Sequence, residues 1–138
     1  MKIIDKRIIK MSGISEKLLQ VYVLWQNNSK HIPKMLRYSM GVRIDSLFAQ
    51  IIELVSEAIF VSEEQRLPLV RIANIKNDVL KFMLYALLEL GGLKEDIFTD
   101  FSLKAEEVGK MLYGWKIKLE KQNRPNTLNT ASVGNDKK

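Results

Sequence analysis

The apolar residues between positions 44 and 61 constrain the fold of this chain more than any other feature. They recur at spacings of three and four, as on one stripe of an α-helix. The stripe consists of Ile44, Leu47, Ile51, Leu54, Ala58 and Val61. Phe48 and Val55 widen it, and Ile52 and Ile59 lie further round, so the apolar arc spans roughly 150°. Such a helix requires neighbours on more than one side, which predicts a buried helix in a bundle.

The residues before this stripe predict a first helix and a boundary. The first helix is predicted at about residues 15–30, with Ser15 before its first apolar residues as the N-cap. Poor helix formers at positions 27–29 and the restriction imposed by Pro33 on its predecessor end this helix. The second helix then runs from Pro33 or Met35 to about residue 61.

Two more helices are predicted after it. Ser62-Glu63-Glu64-Gln65 has the form of a capping box, although Pro68 indicates either a bend or a later start. Gly91-Gly92 ends this third helix, because glycine adopts the left-handed conformation of a C-cap. The fourth helix runs from about Glu95 to residue 121. Its core stripe is expected to be Ile97, Phe101, Ala105, Val108, Leu112, Trp115 and Leu119.

Two glycines inside the fourth helix, Gly109 and Gly114, cost about 1 kcal/mol each relative to alanine, so we expect a close backbone approach at both. Short connections between successive helices favour an all-α, up-down-up-down four-helix bundle. Residues 1–121 would form this domain, with a short basic lead-in at 1–12. The polar segment 122–138 is expected to be disordered.

Composition excludes several functions. The 138 residues include no cysteine and one histidine, so we expect no disulfide, no thiolate metal site, no di-metal bundle and no cofactor. Glu106 and Glu107 are adjacent and would diverge on a helix, so surface pairs such as Glu106 with Lys110 are more plausible than acid–base catalysis. No signal peptide or membrane span is evident. We expect a non-enzymatic, soluble, cytoplasmic protein.

Charge is distributed in blocks. Residues 1–43 carry nine basic and two acidic side chains, whereas residues 44–65 carry five acidic and no basic ones. Basic blocks favour an anionic partner, with nucleic acid first, although an unevenly charged surface explains the same pattern. Cations beside an aromatic ring are typical of single-strand RNA binders. The candidate binding residues are Lys34, Arg37, Arg43, Arg71, Lys81, Tyr85, Lys110, Lys118 and Lys121. Arg37 also continues the core spacing of Met40 and Ile44, so a structural ion pair is the alternative for it.

Three motifs resemble a known family. They are Ile-Pro-Lys-x-x-Arg-Tyr-x-x-Gly-x-Arg-Ile at 32–44, Leu80-Lys81, and Glu-Val-Gly-Lys-Met-Leu-Tyr-Gly-Trp at 107–115. Over roughly residues 18–120 the chain resembles the accessory variability determinant family of diversity-generating retroelements, which is related to four-helix bundles encoded in 23S rRNA intervening sequences. Tyr85 stands where that family usually has arginine, and Tyr113-Gly114-Trp115 where it usually has Gly-Gly-Trp.

The resemblance implies a homopentameric barrel of four-helix bundles. Such a barrel would bind the reverse transcriptase of the element and its template RNA, or an RNA/DNA hybrid, through basic surfaces, and would support mutagenic cDNA synthesis. Self-association is also expected from the wide apolar arcs of the second and third helices. The alternative is a stand-alone helical scaffold or adaptor that binds only protein partners.

Overall fold

A computed structural model of the chain describes residues 13–123. This part of the chain folds into four long helices and contains no β-strand, which confirms the predicted fold class. Helix α1 spans Gly13–Ser29, α3 spans Arg66–Glu89 and α4 spans Glu95–Gln122. Helix α2 is α-helical over Lys34–Leu36 and Val42–Phe60, with a π-helical turn at Arg37–Gly41 between them. The predicted lead-in and nearly all of the predicted tail lie outside the described residues.

The directions of the helices follow from contacts between them. Lys17 on α1 pairs with Glu107 on α4, and Trp25, further along α1, packs against Phe101, which comes earlier on α4. These two helices are therefore antiparallel. The same reversal relates α1 to α2 and α3 to α4, and α3 packs along α2. Each helix thus lies against its neighbour in sequence and α4 closes against α1, as in an up-down-up-down four-helix bundle.

The buried stripe of α2 differs from the predicted one. Its fully buried residues are Ile44, Phe48, Ile51, Val55 and Ala58. Leu47 and Leu54, which were expected at the centre of the stripe, are half-buried at its edge. Both rows are apolar and both have helical spacing, so the pattern could not show which one faces the centre of the bundle. Contact with α1 decides it, because the Phe48 ring stacks on the buried Trp25 with centroids 6.0 Å apart.

The π-helical turn changes the register of α2. A π turn contains one residue more than an α turn, so the residues before it are rotated relative to those after it. The simple helical wheel aligns Arg37 with Met40 and Ile44 on the core stripe. Across the wider turn this alignment is lost, and Arg37 is only half-buried.

The predicted glycine cap ends α3. Gly91 has a φ of +82°, the left-handed conformation that glycine adopts without strain. The N–H of Gly92 donates to the carbonyl oxygen of Leu87 at 2.8 Å, and that of Gly91 donates to Leu88 at 2.9 Å. These two bonds form a Schellman motif.

The two predicted N-terminal caps are not formed. Ser15 lies inside α1, two residues after its start. The hydroxyl of Ser62 makes no capping hydrogen bond, and residues Glu63–Gln65 form a 3-10 turn instead. Helix α3 begins at Arg66, whose guanidinium donates to the carbonyl oxygens of Val61 and Ile59 at the end of α2. At this junction the arginine side chain therefore satisfies carbonyl groups at the C-terminus of α2, in place of a serine that caps the N-terminus of α3.

The two glycines of α4 behave differently. Asn77 on α3 is buried, and its Nδ2 donates to the carbonyl oxygen of Ala105 at 3.1 Å. A methyl group built on Gly109 would lie 3.2 Å from that Nδ2 atom, so a close approach exists there, but it is made by a side chain and not by the backbone that was predicted. At Gly114 no atom lies within 4 Å of such a methyl group, and the prediction is wrong. Gly114 is on the exposed side of α4.

Candidate nucleic-acid interface

The bundle divides the nine predicted binding residues among three surfaces. We call the start of α2 with Lys34, Arg37 and Arg43 the α2 corner. The α3–α4 seam carries Arg71, Lys81 and Tyr85. The lysine face of α4 carries Lys110, Lys118 and Lys121. They differ in how many of their charges are already neutralised.

At the α2 corner, Arg37 has a structural role. Its Nη1 donates to the carbonyl oxygen of Lys30 at 3.1 Å, just past the last residue of α1. Carbonyls at a helix C-terminus lack an intrahelical partner, so this bond ties the start of α2 to the end of α1. A hydrogen bond to the backbone thus takes the place of the ion pair considered from sequence. Lys34 and Arg43 are exposed and make no ion pair with any residue from 13 to 123.

Sequence reasoning missed one aromatic residue at this corner. Tyr38 is 66% exposed, and the guanidinium carbon of Arg37 lies 5.6 Å from the centroid of its ring. An arginine over a ring at this distance makes a cation–π contact. The signal was present in the sequence as an aromatic residue within a basic segment, but only the structure shows that its ring is open to solvent.

A cleft of about 190 Å³ lies between α1 and α2 beside Tyr38. Asp45 lines it and accepts two hydrogen bonds on Oδ1, from Trp25 Nε1 at 3.0 Å and from Gln26 Nε2 at 3.1 Å. Both donors are on α1, so they hold the carboxylate across the junction of the two helices. The cleft therefore combines an aromatic ring, a guanidinium and an oriented carboxylate.

The cations of the α3–α4 seam are paired with carboxylates. Arg71 Nη2 lies 3.1 Å from an oxygen of Glu120. Lys81 Nζ lies 3.0 Å from Glu106 and 3.5 Å from Asp78. The predicted pair of Glu106 with Lys110 is thus replaced by a pair across the seam. These contacts cancel much of the positive charge that Arg71 and Lys81 were expected to offer to a phosphate.

The pairing at the seam shifts two pKa values. Partial burial of Lys81 lowers its pKa, but the hydrogen bond with Glu106 and the charges of Glu106 and Asp78 outweigh this effect, so the pKa lies above its ordinary value. The hydrogen bond and charge of Lys81 hold the pKa of Glu106 below its usual range, with a smaller contribution from Lys110. Each group is therefore stabilised in its charged form.

The lysine face of α4 is different, because none of its three lysines is paired directly with a carboxylate, although Lys110 acts on Glu106 through its charge. Lys110, Lys118 and Lys121 are exposed and form no ion pair with any residue from 13 to 123. Gly114 lies between them and leaves the helix surface open. Lys116, nearby on α4, sits over the ring of Tyr113 at 4.8 Å from its centroid instead. Among residues 13–123, the three predicted lysines of α4 therefore share one exposed face and make no direct ion pair.

Helix α3 also exposes an apolar stripe, on the helix whose wide apolar arc led us to expect self-association. It consists of Ile72, Ile75, Val79 and Phe82, which are 43%, 62%, 45% and 69% exposed. Their spacings of three and four put them on one side of the helix. Tyr85 lies at the end of this stripe, with its ring near those of Phe82 and Phe98, so it belongs to an aromatic cluster rather than to a basic surface.

An apolar groove of about 320 Å³ runs between α1 and α2. Leu19 and Phe60, both mostly exposed, stand at its rim, and Ile52 and Ile59 line it from α2. Exposed apolar surfaces often mark contacts with other molecules, so the α3 stripe and this groove are candidates for contact with a partner or a second copy.

Two further findings concern the described residues. None of the helices between positions 13 and 123 is both long and apolar enough to cross a bilayer. Within the same range, no three His, Asp or Glu side chains are placed to hold a metal ion.

No protein-family model, curated protein or solved structure matches this chain. Over residues 13–123 the protein is an all-α four-helix bundle with exposed basic residues that make no ion pair in this range on α2 and α4, and with an exposed apolar stripe on α3.

Proposed function

We propose that this chain is a non-enzymatic, RNA-binding accessory protein of a diversity-generating retroelement. In this role it binds the template RNA, or the RNA/DNA hybrid formed on it, together with the reverse transcriptase, and supports mutagenic cDNA synthesis in the cytoplasm. The assignment to a retroelement and the partnership with its polymerase are based on the resemblance of the three sequence motifs. The structural support is for the nucleic-acid contact.

The lysine face of α4 carries this proposal. Elsewhere on the bundle Lys17, Arg71, Lys81 and Lys104 are held by carboxylates at 3.0 to 3.1 Å. The three lysines of the face have no such partner among the described residues, so their charge is available to phosphates. Release of condensed counterions then favours binding without a need for base contacts.

The test is RNA affinity as a function of salt, measured by fluorescence anisotropy. Changing Lys110, Lys118 and Lys121 to alanine should weaken binding and reduce the log–log salt slope by about 2, because each neutralised phosphate of a single strand contributes about 0.7. A control variant with Lys17, Arg71 and Lys104 changed to alanine alters the net charge equally but removes cations that are already paired. Its slope should stay close to that of the wild type.

Two unrelated RNAs of equal length should show similar slopes on the wild type, measured from about 50 to about 300 mM salt, where screening lengths fall below about 15 Å. If the control variant lost as much affinity as the lysine-face variant, net charge alone would explain binding. Binding that ignores salt would contradict phosphate recognition, and absence of binding at the lowest salt would refute the proposal.

We further propose that the protein works as a homo-oligomer, a pentamer according to the resemblance. The α3 stripe of one copy would pack into the groove between α1 and α2 of the next, a heterologous contact that forms a ring when it closes. The outer face of α4 takes no part in this contact and remains free for RNA.

Light scattering tests the assembly. The wild type should have about five times the 15.9 kDa mass of one chain, and Ile75→Glu should reduce it. Leu103→Glu is the matched control, because Leu103 is 67% exposed on α4 and belongs to neither surface. A wild type that is monomeric at micromolar concentration, or an Ile75→Glu protein that keeps the full mass, would exclude this interface.

The second candidate function is a scaffold or adaptor that binds protein only. The observation that favours it is the α3 stripe, which would suit an amphipathic partner helix as well as a second copy. A monomeric wild type that binds no RNA but captures the purified reverse transcriptase through Ile75 would support this function.

A further inference from the structure

The α2 corner offers a platform for an unpaired base. Tyr38 projects from the π-helical turn with 66% of its surface exposed, and Arg37 lies over its ring. Aromatic rings stack on the bases of single-stranded nucleic acids, and arginine adds a cation–π contribution. Lys34, one turn earlier, supplies a free charge for the adjoining phosphate. π-helical turns are frequently found at functional sites.

The cleft beside Tyr38 also contains a hydrogen-bond acceptor. Trp25 and Gln26 both donate to Oδ1 of Asp45, which leaves Oδ2 with its capacity to accept. These bonds fix the orientation of the carboxylate before any ligand arrives. An ionised carboxylate only accepts hydrogen bonds, so it selects a ligand edge that donates.

Among the bases, guanine fits this requirement best. Its Watson–Crick edge carries two adjacent donors, N1–H and N2–H, whereas adenine and cytosine each place an acceptor beside a single donor group and uracil flanks its donor with two carbonyls. The O6 acceptor of guanine suits a cation, and Arg37 also lines the cleft. A carboxylate opposite an acceptor edge would be repulsive.

We propose that this cleft binds one unpaired guanine of an RNA, stacked on Tyr38 and held through its donor edge by Asp45. The proposal rests on the proposed RNA-binding function and adds a base preference to it. A nucleotide is favoured over an arginine of a partner protein because the exposed, positively charged Lys30, Lys34 and Arg43 lie within three residues of the lining residues Ser29, Arg37 and Val42. That charge attracts phosphates and repels a guanidinium.

The experiment compares short oligouridine RNAs that differ in one central base, with the full chain and anisotropy detection. The quantity measured is the ratio of affinities for the guanine-containing and the all-uridine RNA, because phosphate contacts and avidity cancel in it. The wild type should prefer guanine about tenfold, in line with the discrimination of one well-placed base contact. Asp45→Asn and Tyr38→Ala should each bring the ratio close to one.

Two matched variants separate this role from a structural one. Tyr38→Phe keeps the ring and should keep the ratio. Tyr113 on α4 is a second exposed tyrosine with a cation over its ring and is 54% exposed, so Tyr113→Ala should also leave the affinity ratio unchanged. Equal melting temperatures of Asp45→Asn and wild type would show that the Trp25 bond survives, since the amide oxygen of asparagine still accepts it.

The outcomes distinguish the two proposals. Equal binding of all RNAs by the wild type would refute the cleft and leave the lysine-face proposal standing. A preference for adenine, or a guanine preference that survives Asp45→Asn, would also overturn the cleft. If no RNA bound and an arginine-containing peptide bound in an Asp45-dependent way, both nucleic-acid proposals would fail and the cleft would be a protein-docking site.

Discussion

Replacing Asn77 by aspartate tests how the α3–α4 interface is held together. Asn77 is 1% exposed, and its Nδ2 donates to the carbonyl oxygen of Ala105 at 3.1 Å. In Asn77→Asp an oxygen takes the place of this donor. If the new carboxyl group were ionised, its oxygen would face the carbonyl oxygen of Ala105 in the buried core with no proton between them.

The expected cost at neutral pH has an upper limit, because the buried acid can take up a proton and then donate the original bond. Protonating a carboxyl whose unperturbed pKa is about 3.9 costs about 4 kcal/mol at pH 7, at 1.36 kcal/mol per pH unit. Lys81 reduces this cost, since its Nζ and the Asn77 amide both lie within 4 Å of a methyl built on Gly109. That ammonium is already shared by Glu106 and Asp78, so we expect a loss of about 3 kcal/mol.

The pH dependence identifies the mechanism. Burial raises the pKa of the new carboxyl in the folded state, so the folded protein binds a proton that the unfolded chain has released. Below about pH 4 the free energy of unfolding of Asn77→Asp should therefore be close to that of the wild type. Above this pH it should fall by about 1.4 kcal/mol per pH unit relative to the wild type, until the pKa of the carboxyl in the folded state is passed.

Urea unfolding followed by far-UV circular dichroism, from about pH 4 to about pH 7, measures this difference. Asn77→Leu is the control, because it has nearly the same shape and no ionisable group, and should differ from wild type by a pH-independent amount of about 1 kcal/mol. A pH-independent loss in Asn77→Asp, or no loss at pH 7, would show that the site is hydrated and that the reasoning from burial is wrong.

Two other predictions concern the same helices. Gly114→Ala should raise stability by about 1 kcal/mol, because the new methyl meets nothing, whereas Gly109→Ala should lower it by about 1 kcal/mol through contact with the buried Asn77, as thermal melts would show. Lys81→Met should cost under about 1 kcal/mol at pH 7, as an exposed pair does. The loss of stability in Lys81→Met should shrink as pH falls below the ordinary glutamate pKa, because the pKa of Glu106 is lowered in the folded protein. It should also shrink as pH rises above the ordinary lysine pKa, because the pKa of Lys81 is raised. A loss that is equal from acid to alkaline pH would contradict this pairing.

The sequence predicted the helices because the signals for a helix are local. Apolar spacing of three and four placed the second helix within a few residues of its observed ends. Gly91-Gly92 marked the end of α3, because a left-handed residue is needed there whatever packs nearby. The serine caps were wrong, since Ser15 lies inside α1 and Ser62 makes no capping hydrogen bond although both fit the local pattern.

The π-helical turn marks where local reasoning stops. A helical wheel assumes constant rotation per residue, and one extra residue at Arg37–Gly41 changes the face of everything before it. Arg37 thereby reaches the carbonyl of Lys30, and Tyr38 stands open beside the cleft. Nothing in the spacing of the apolar residues indicated this insertion.

The sequence by itself thus determined which segments are helical, which residue types lie in the core and where basic residues accumulate. Only the tertiary structure decided which charges are free. Arg71 and Lys81 looked equivalent to Lys110 and Lys118 in the sequence, but the first two face acidic residues on a neighbouring helix and the other two do not. The physical reason is that an ion pair depends on distances of about 4 Å between residues far apart in the chain, which the antiparallel packing of α3 and α4 sets.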